Sequence, residues 1–155
     1  MKILVLSDSH GTMCSMENAV ERERPDYILH LGDYQRDARK LETFYPQIPL
    51  ISVPGNCDRP LPGEQLSFVR EFDGVRILMT HGHAYGVKSG LLRMELAARE
   101  AGVQVALFGH THRSVCEELN GLWLMNPGAS SGVRRTCGIV EITAGTVQCR
   151  VEEIE

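Results

Sequence analysis

Seven residues with metal-ligand chemistry stand at five places where a short apolar run breaks into a turn: Asp8 with His10, Asp33, Asn56, His81, and His110 with His112. Imidazole is the commonest side-chain metal ligand, and carboxylate or amide oxygens complete mixed nitrogen–oxygen sets. The sharpest of the five stretches is Leu-Phe-Gly-His-Thr-His at 107–112. Gly109 permits an abrupt turn. Residues two apart in an extended segment point to one side, so His110 and His112 are expected to leave the strand end together. Alone, the pair reads equally well as two solvated histidines in a turn. What favours chemistry is the recurrence of ligand-type residues at the four other strand ends.

Seven groups are too many for one ion, which takes about four to six ligands. They suit two ions sharing a carboxylate. Paired divalent ions about 3.5–4 Å apart are a recurrent device for phosphoryl transfer. Two carboxylates against two dications leave about two net positive charges, which attract phosphate and acidify a bridging water. Imidazole and oxygen donors without a thiolate favour manganese, iron, zinc, nickel or cobalt over calcium or magnesium.

The elements that must position these residues follow from apolar periodicity. Buried strands are expected at Lys2–Leu6, Tyr27–Leu31 and Leu50–Val53, each followed by a ligand-bearing turn. Helices are expected from about Met13 to Arg24, with Thr12 as N-cap, and from Tyr34 to Phe44. Alternating strands and helices imply a parallel sheet with right-handed crossovers. The second half is richer in hairpins: Leu66–Phe72 and Val75–Thr80 flank Asp73-Gly74, and Val115–Leu119 and Leu122–Met125 flank Asn120-Gly121. Gly138–Thr143 and Thr146–Val151 flank Ala144-Gly145. Such dipeptides mark tight hairpin turns. Between the hairpins lie a helix expected from Lys88 to Ala101, closed by Gly102, and a strand at 103–108. The expectation is an α/β fold with two mixed sheets packed face to face and helices on the outer faces. In open α/β sheets, ligands bind beyond the carboxyl ends of strands, where all seven residues lie.

The totals narrow the class. A chain of 155 residues with 43% hydrophobic and 23% charged content is one globular domain, 1–155, with room for a sizeable core. Its net charge of −4 argues against gripping long nucleic acid, which calls for a basic excess. The cysteines at 14, 57, 116, 137 and 149 are odd in number and widely spaced. They imply free thiols in a reducing, cytoplasmic setting. No run is long enough to cross a membrane, and Ile3–Leu6 is too short for a signal-peptide core. A homo-oligomer stays open.

In order, D-x-H (Asp8, His10), G-D (Gly32, Asp33), G-N (Gly55, Asn56), H-G-H (His81 to His83) and G-H-T-H (Gly109 to His112) resemble the calcineurin-like metallophosphoesterase superfamily. More narrowly, the chain is similar to the small bacterial and archaeal YfcE-type phosphodiesterases, whose fold the eukaryotic retromer subunit shares. The resemblance implies an αββα four-layer sandwich and two divalent transition-metal ions, manganese foremost. It implies that Asp8, His10 and His112 hold one ion, that Asn56, His81 and His110 hold the other, and that Asp33 bridges. It further implies hydrolysis of a small phosphodiester by in-line attack of a hydroxide between the ions.

One position departs from the wider superfamily, where a histidine commonly follows the metal-binding asparagine. Here it is Cys57, as in the YfcE-type subgroup. A thiol, with a reference pKa of about 8.5, is a poorer proton donor than imidazole at about 6.5. The expected consequence is a preference for diesters with good leaving groups; the plain alternative is a small filler residue. His83, two residues past His81, is a second candidate for protonating the leaving group or orienting the phosphate. His30, inside its strand, reads as a core histidine or as one that orients a ligand, with Asp33 the candidate it could support. Arg59, Arg113 and Arg134 could contact phosphate, with an ordinary surface arginine as the default, and Asn126-Pro127-Gly128 reads as a turn in the cleft wall. Two further readings use the same sequence: a phosphomonoesterase, and a non-catalytic scaffold on the same fold, since fold does not fix function.

Overall fold

A computed structural model describes residues 1–155. Ten strands form two mixed five-stranded sheets. The first holds β1 (Lys2–Leu6), β2 (Tyr27–His30), β3 (Leu50–Ser52), β9 (Thr136–Thr143) and β10 (Thr146–Glu153), in the order β10-β9-β1-β2-β3. The second holds β4 (Ser67–Phe72), β5 (Val75–Thr80), β6 (Val105–Leu107), β7 (Val115–Leu119) and β8 (Leu122–Asn126), in the order β4-β5-β6-β8-β7. In the first sheet β1, β2 and β3 are parallel, as the crossover argument requires; in the second, β5, β6 and β8 are.

The period-2 alternation of side chains sorts the apolar residues into three cores and so builds four layers. Ile3, Val5, Leu29 and Leu31 face Ile77, Met79, Val105 and Leu107 across the gap between the sheets. Leu4, Leu6 and Ile28 point the other way, onto α1 (Met13–Glu23) and α2 (Gln35–Phe44), through Met16, Ala19, Val20 and Leu41. Leu78, Ala106 and Phe108 point outward onto α3 (Leu92–Ala101), through Met94 and Ala98. The result is the αββα sandwich.

Local chemistry explains the boundaries. All three hairpin turns place both central residues at positive φ: Asp73 and Gly74, Asn120 and Gly121, Ala144 and Gly145. That is the turn whose twist matches antiparallel strands. Arg24 and Gly102 are left-handed caps ending α1 and α3, so α1 stops one residue before its expected end. Thr12 occupies the N-cap of α1, but its side chain makes no capping bond. The third helix corrects the sequence reading: it starts at Leu92, not Lys88. Gly86 and Gly90 take φ of 59° and 144°, so the preceding segment turns instead, through one turn of 3-10 helix at His83–Tyr85. The final hairpin is longer than expected at both ends and returns to the first sheet, with β9 antiparallel to β1. No helix is long and apolar enough to cross a membrane.

Candidate metal centre

All seven ligand-type residues meet at the carboxyl ends of β1, β2, β3, β5 and β6. Asp8 Oδ1 lies 3.1 Å from His112 Nε2 and 3.9 Å from His10 Nε2. Asp33 Oδ2 lies 3.9 Å from His10 Nε2 and 3.5 Å from His81 Nε2. His81 Nε2 also lies 3.0 Å from Asn56 Oδ1 and 3.2 Å from His110 Nδ1. Two triads have ligand atoms close enough to share an ion: Asp8, His10 and His112, and Asp8, Asp33 and His81. Asn56 and His110 adjoin the second through His81.

His110 and His112 do not sit on an extended segment. Their φ values are 71° and 60°, so the expectation that both point to one side is wrong. The turn delivers His110 toward His81 and His112 toward Asp8 and His10, one imidazole to each group. Asp8, His10 and Asp33 are also left-handed, with φ of 54°, 43° and 46°. Each such residue carries a backbone cost on the order of 1–2 kcal/mol. Five of the seven residues share this conformation, which ties the cost to the arrangement of the site.

The donor set fits a cation. Asp8 and His81 are fully buried and Asp33 nearly so. Asp8 Oδ1 and His10 Nε2 are buried without any hydrogen-bond partner. The His81 Nδ1–H donates to the Leu31 carbonyl at 2.7 Å, so in the neutral ring Nε2 presents a lone pair to the oxygens of Asn56 and Asp33. Buried acceptors facing acceptors are costly unless a positive charge joins them. Divalent cations held by these atoms would do so.

The orienting partners were only partly legible. Asp8 Oδ2 accepts from Ser7 Oγ at 2.6 Å and from the His110 N–H at 3.1 Å, which leaves Oδ1 for the centre. Asp33 Oδ1 accepts the Cys57 N–H at 2.9 Å, which leaves Oδ2. Burial acts to raise the Asp33 carboxyl, but the Cys57 N–H and the His81 and His10 imidazoles outweigh it and hold the pKa below the ordinary value. Asp58 was not singled out from the sequence. Its carboxylate accepts the N–H groups of Asp33, Gly55 and Gln35 and so ties the β2 and β3 loops together. Asn126 does more than shape a wall: its Nδ2 donates to the Gly109 carbonyl and to Thr111 Oγ1, pinning the Gly-His-Thr-His turn.

His30 supports the site through a buried chain. Its Nδ1 accepts the Gly32 N–H at 3.2 Å, so its proton sits on Nε2 and is donated to Ser9 Oγ at 3.0 Å. Ser9 in turn donates to Asp37 Oδ2 at 2.7 Å, which also accepts the Gly11 N–H. Burial pushes the His30 pKa down to about 4. His83 borders the cluster, with ring centroids 5.5 Å from His81 and 6.1 Å from His110. Its Nδ1 is buried without a partner, and burial together with the His81 imidazole lowers its pKa. The exposed Cys57 thiol is pushed up by desolvation and by Asp33 beside it, which keeps it protonated. Arg134 is paired with Glu153, and with Arg113 it lines a hollow that His112 borders.

A model of the calcineurin-like phosphoesterase superfamily domain matches residues 1–146. The chain is 37% identical over 142 residues to a probable metallophosphoesterase, YsnB, of Bacillus subtilis, covering 88% of this chain and 80% of that one. It is 25% identical over 160 residues to the phosphodiesterase YfcE of Escherichia coli, with 84% and 80% covered. Among solved structures it resembles a predicted phosphoesterase of Streptococcus pneumoniae, with a TM-score of 0.79, 25% identity, and 98% and 88% of the chains covered. It also shares the fold of Entamoeba histolytica Vps29 solved with zinc, with a TM-score of 0.76, 18% identity and 99% of each chain covered. With the ligand-type residues gathered as described and nearly the whole chain matched, the protein belongs to the calcineurin-like phosphoesterase superfamily.

Proposed function

We propose that residues 1–155 act as one metal-dependent phosphodiesterase domain that hydrolyses a small phosphodiester at a dinuclear centre. The observation that carries this reading is the pair of buried acceptors without a hydrogen-bond partner, Asp8 Oδ1 and His10 Nε2, beside a buried His81 whose Nε2 faces Asn56 Oδ1 and Asp33 Oδ2. Asp8, His10 and His112 would hold one cation, Asn56, His81 and His110 the other, with Asp33 shared. Manganese is the first choice, with iron, zinc, nickel or cobalt also suited to the nitrogen–oxygen set. When bound, two such cations neutralise phosphoryl charge and acidify a water.

The chain's own groups would supply the rest. Asp33, with its pKa held low, stays anionic at neutral pH. His83, with its pKa lowered, is neutral there and keeps one N–H for a phosphate oxygen or the leaving group. Cys57 offers a neutral thiol at the next edge of the site. The phosphodiesterase name of the Escherichia coli relative supports the diester reading. The five free thiols suit a cytoplasmic setting.

The test is elemental analysis of protein purified without chelator, alongside hydrolysis of a bis-aryl phosphate with and without manganese. Two transition-metal ions per chain, with activity abolished by chelation and by Asp33→Asn, is the expected result. The likeness to Vps29 favours one second reading, a non-catalytic scaffold. Protein that binds no supplied metal and cleaves neither diester nor monoester would decide for it.

A further inference from the structure

Beside the cluster, and lined by none of its seven ligand-type residues, lies a cavity of about 430 Å³. Its walls are Tyr34, Gln35, Cys57, Asp58 and three arginines, Arg36, Arg39 and Arg59. Tyr34 and Cys57 directly follow Asp33 and Asn56, and the Tyr34 ring stands edge-on to His10 at 5.1 Å. The cavity therefore opens from the edge of the metal centre. Its size falls within the range of small-molecule sites, about 300–1,000 Å³.

Its chemistry is cationic. None of the three guanidinium groups is ion-paired with an acid of the chain; the ion-paired arginines, Arg22, Arg99, Arg134 and Arg150, all lie outside this wall. The one carboxylate in the wall, Asp58, is already occupied: Oδ2 accepts the Asp33 and Gly55 N–H groups and Oδ1 accepts that of Gln35. Arg36 is held over the Tyr34 ring at 4.3 Å, which orients its fork and covers a ring face that a base could otherwise stack on. A chain of net charge −4 thus gathers three unengaged guanidinium groups at one hollow. Arginine forks match phosphate geometry.

We propose that this cavity is a second anion subsite, and that the substrate is a phosphodiester carrying a further phosphate group on one of its arms. The inference rests on the phosphodiesterase reading for the reaction and on the arginines alone for the anion. Because the ligand-type residues do not line the cavity, the arginines serve a separate anion and not the spare oxygen of the reacting phosphorus.

Two measurements test it with Arg36→Gln/Arg39→Gln/Arg59→Gln protein. The first uses metal-stripped protein and inorganic phosphate at low ionic strength, followed by amide NMR. Saturable shifts at Tyr34, Arg36, Cys57 and Arg59 that disappear in the triple variant are expected. Their absence below about 10 mM, or their persistence in the variant, overturns the subsite whatever the activity. The second compares kcat/KM on a bis-aryl phosphate with that on the same diester bearing a phosphomonoester on one ring. The variant should lose about 10–100-fold on the phosphorylated diester alone, since solvent screens the contacts of exposed arginines. Equal loss on both diesters, or loss confined to a simple aryl monoester, overturns the substrate assignment. If wild-type protein turns over neither diester while the phosphate shifts appear, the phosphodiesterase reading and the substrate assignment fail together and the anion site stands.

Discussion

The Leu31 carbonyl, at the end of a strand in one sheet, accepts the Nδ1 proton of His81, at the end of a strand in the other, at 2.7 Å. This bond settles which nitrogen of His81 faces the cluster. Its partner atoms there are Asn56 Oδ1, His110 Nδ1 and Asp33 Oδ2. His81→Gln cannot serve Leu31 and a cation at once. The variant should retain one metal ion per chain and lose more diesterase activity than the roughly 10–100-fold that removal of an outer partner costs. Elemental analysis and steady-state kinetics check both, and two ions retained at full occupancy would remove His81 from the ligand set.

Folding stability should fall as pH drops from about 6.5 toward 4 because of His30. Its imidazole is neutral in the fold down to about 4, whereas the unfolded chain takes up that proton near 6.5. The contribution is complete above 6.5 and lost as pH falls through that window, amounting to about 3 kcal/mol. His30→Gln retains an acceptor for Gly32 and a donor for Ser9 without the titration. Urea unfolding of metal-stripped protein at pH 7, 6, 5 and 4 should show a shallower decline for the variant.

Cys57→His keeps the backbone N–H that Asp33 Oδ1 accepts and adds a group able to donate a proton at neutral pH. General-acid catalysis is worth about 10²–10⁴-fold where the leaving oxygen needs it. The variant should gain at least about tenfold on alkyl diesters and little on activated aryl diesters. A plot of log kcat against leaving-group pKa should become less steep, and an unchanged slope would make Cys57 a filler.

Gly109 lies so close to Ser7 and Asp8 that an added Cβ would collide with Ser7 Oγ and crowd Asp8 Oδ2. Gly109→Ala should destabilise the metal-free protein by about 1–3 kcal/mol and weaken metal binding, since the displaced carboxylate also accepts the His110 N–H. Thermal unfolding with and without manganese separates the two effects. A Tm within a degree of wild type in both would contradict the packing described.

What could be read from the chain was local. Each of the five ligand-bearing stretches lies within a few residues of the end of a β-favouring run, and the alternation of Ile3 and Val5 with Leu4 and Leu6 marks a strand buried on both faces. The sheet order was not legible, because pairing of β9 with β1 joins residues more than 130 apart, and nothing near Ile139 or Val140 names Leu4 or Ile3 as partner. Splitting His110 from His112 depends on positive φ at both residues, which side-chain spacing does not encode. The Asp37–Ser9–His30 chain joins a helix, a turn and a strand that are separate in sequence, so its signal was limited to a histidine inside an apolar strand. Asp58 had a clearer one, an acidic residue in the Gly-Asn-Cys-Asp turn, but it lies outside the metal-ligand pattern.

The gathering of Asp8 and Asp33 from one sheet with His112 from the other would give a bound cation the topology of a cross-link. Asp8 and His112 are 104 residues apart. In the chain-entropy view, tying off a loop of that length constrains the unfolded ensemble by about 4.7 kcal/mol when the tie is permanent. A cation that unfolded chain cannot hold would act as a removable version of that tie. The metal-free chain must then dock its sheets by apolar burial alone, and chelation would loosen the seam between them before either sheet comes apart.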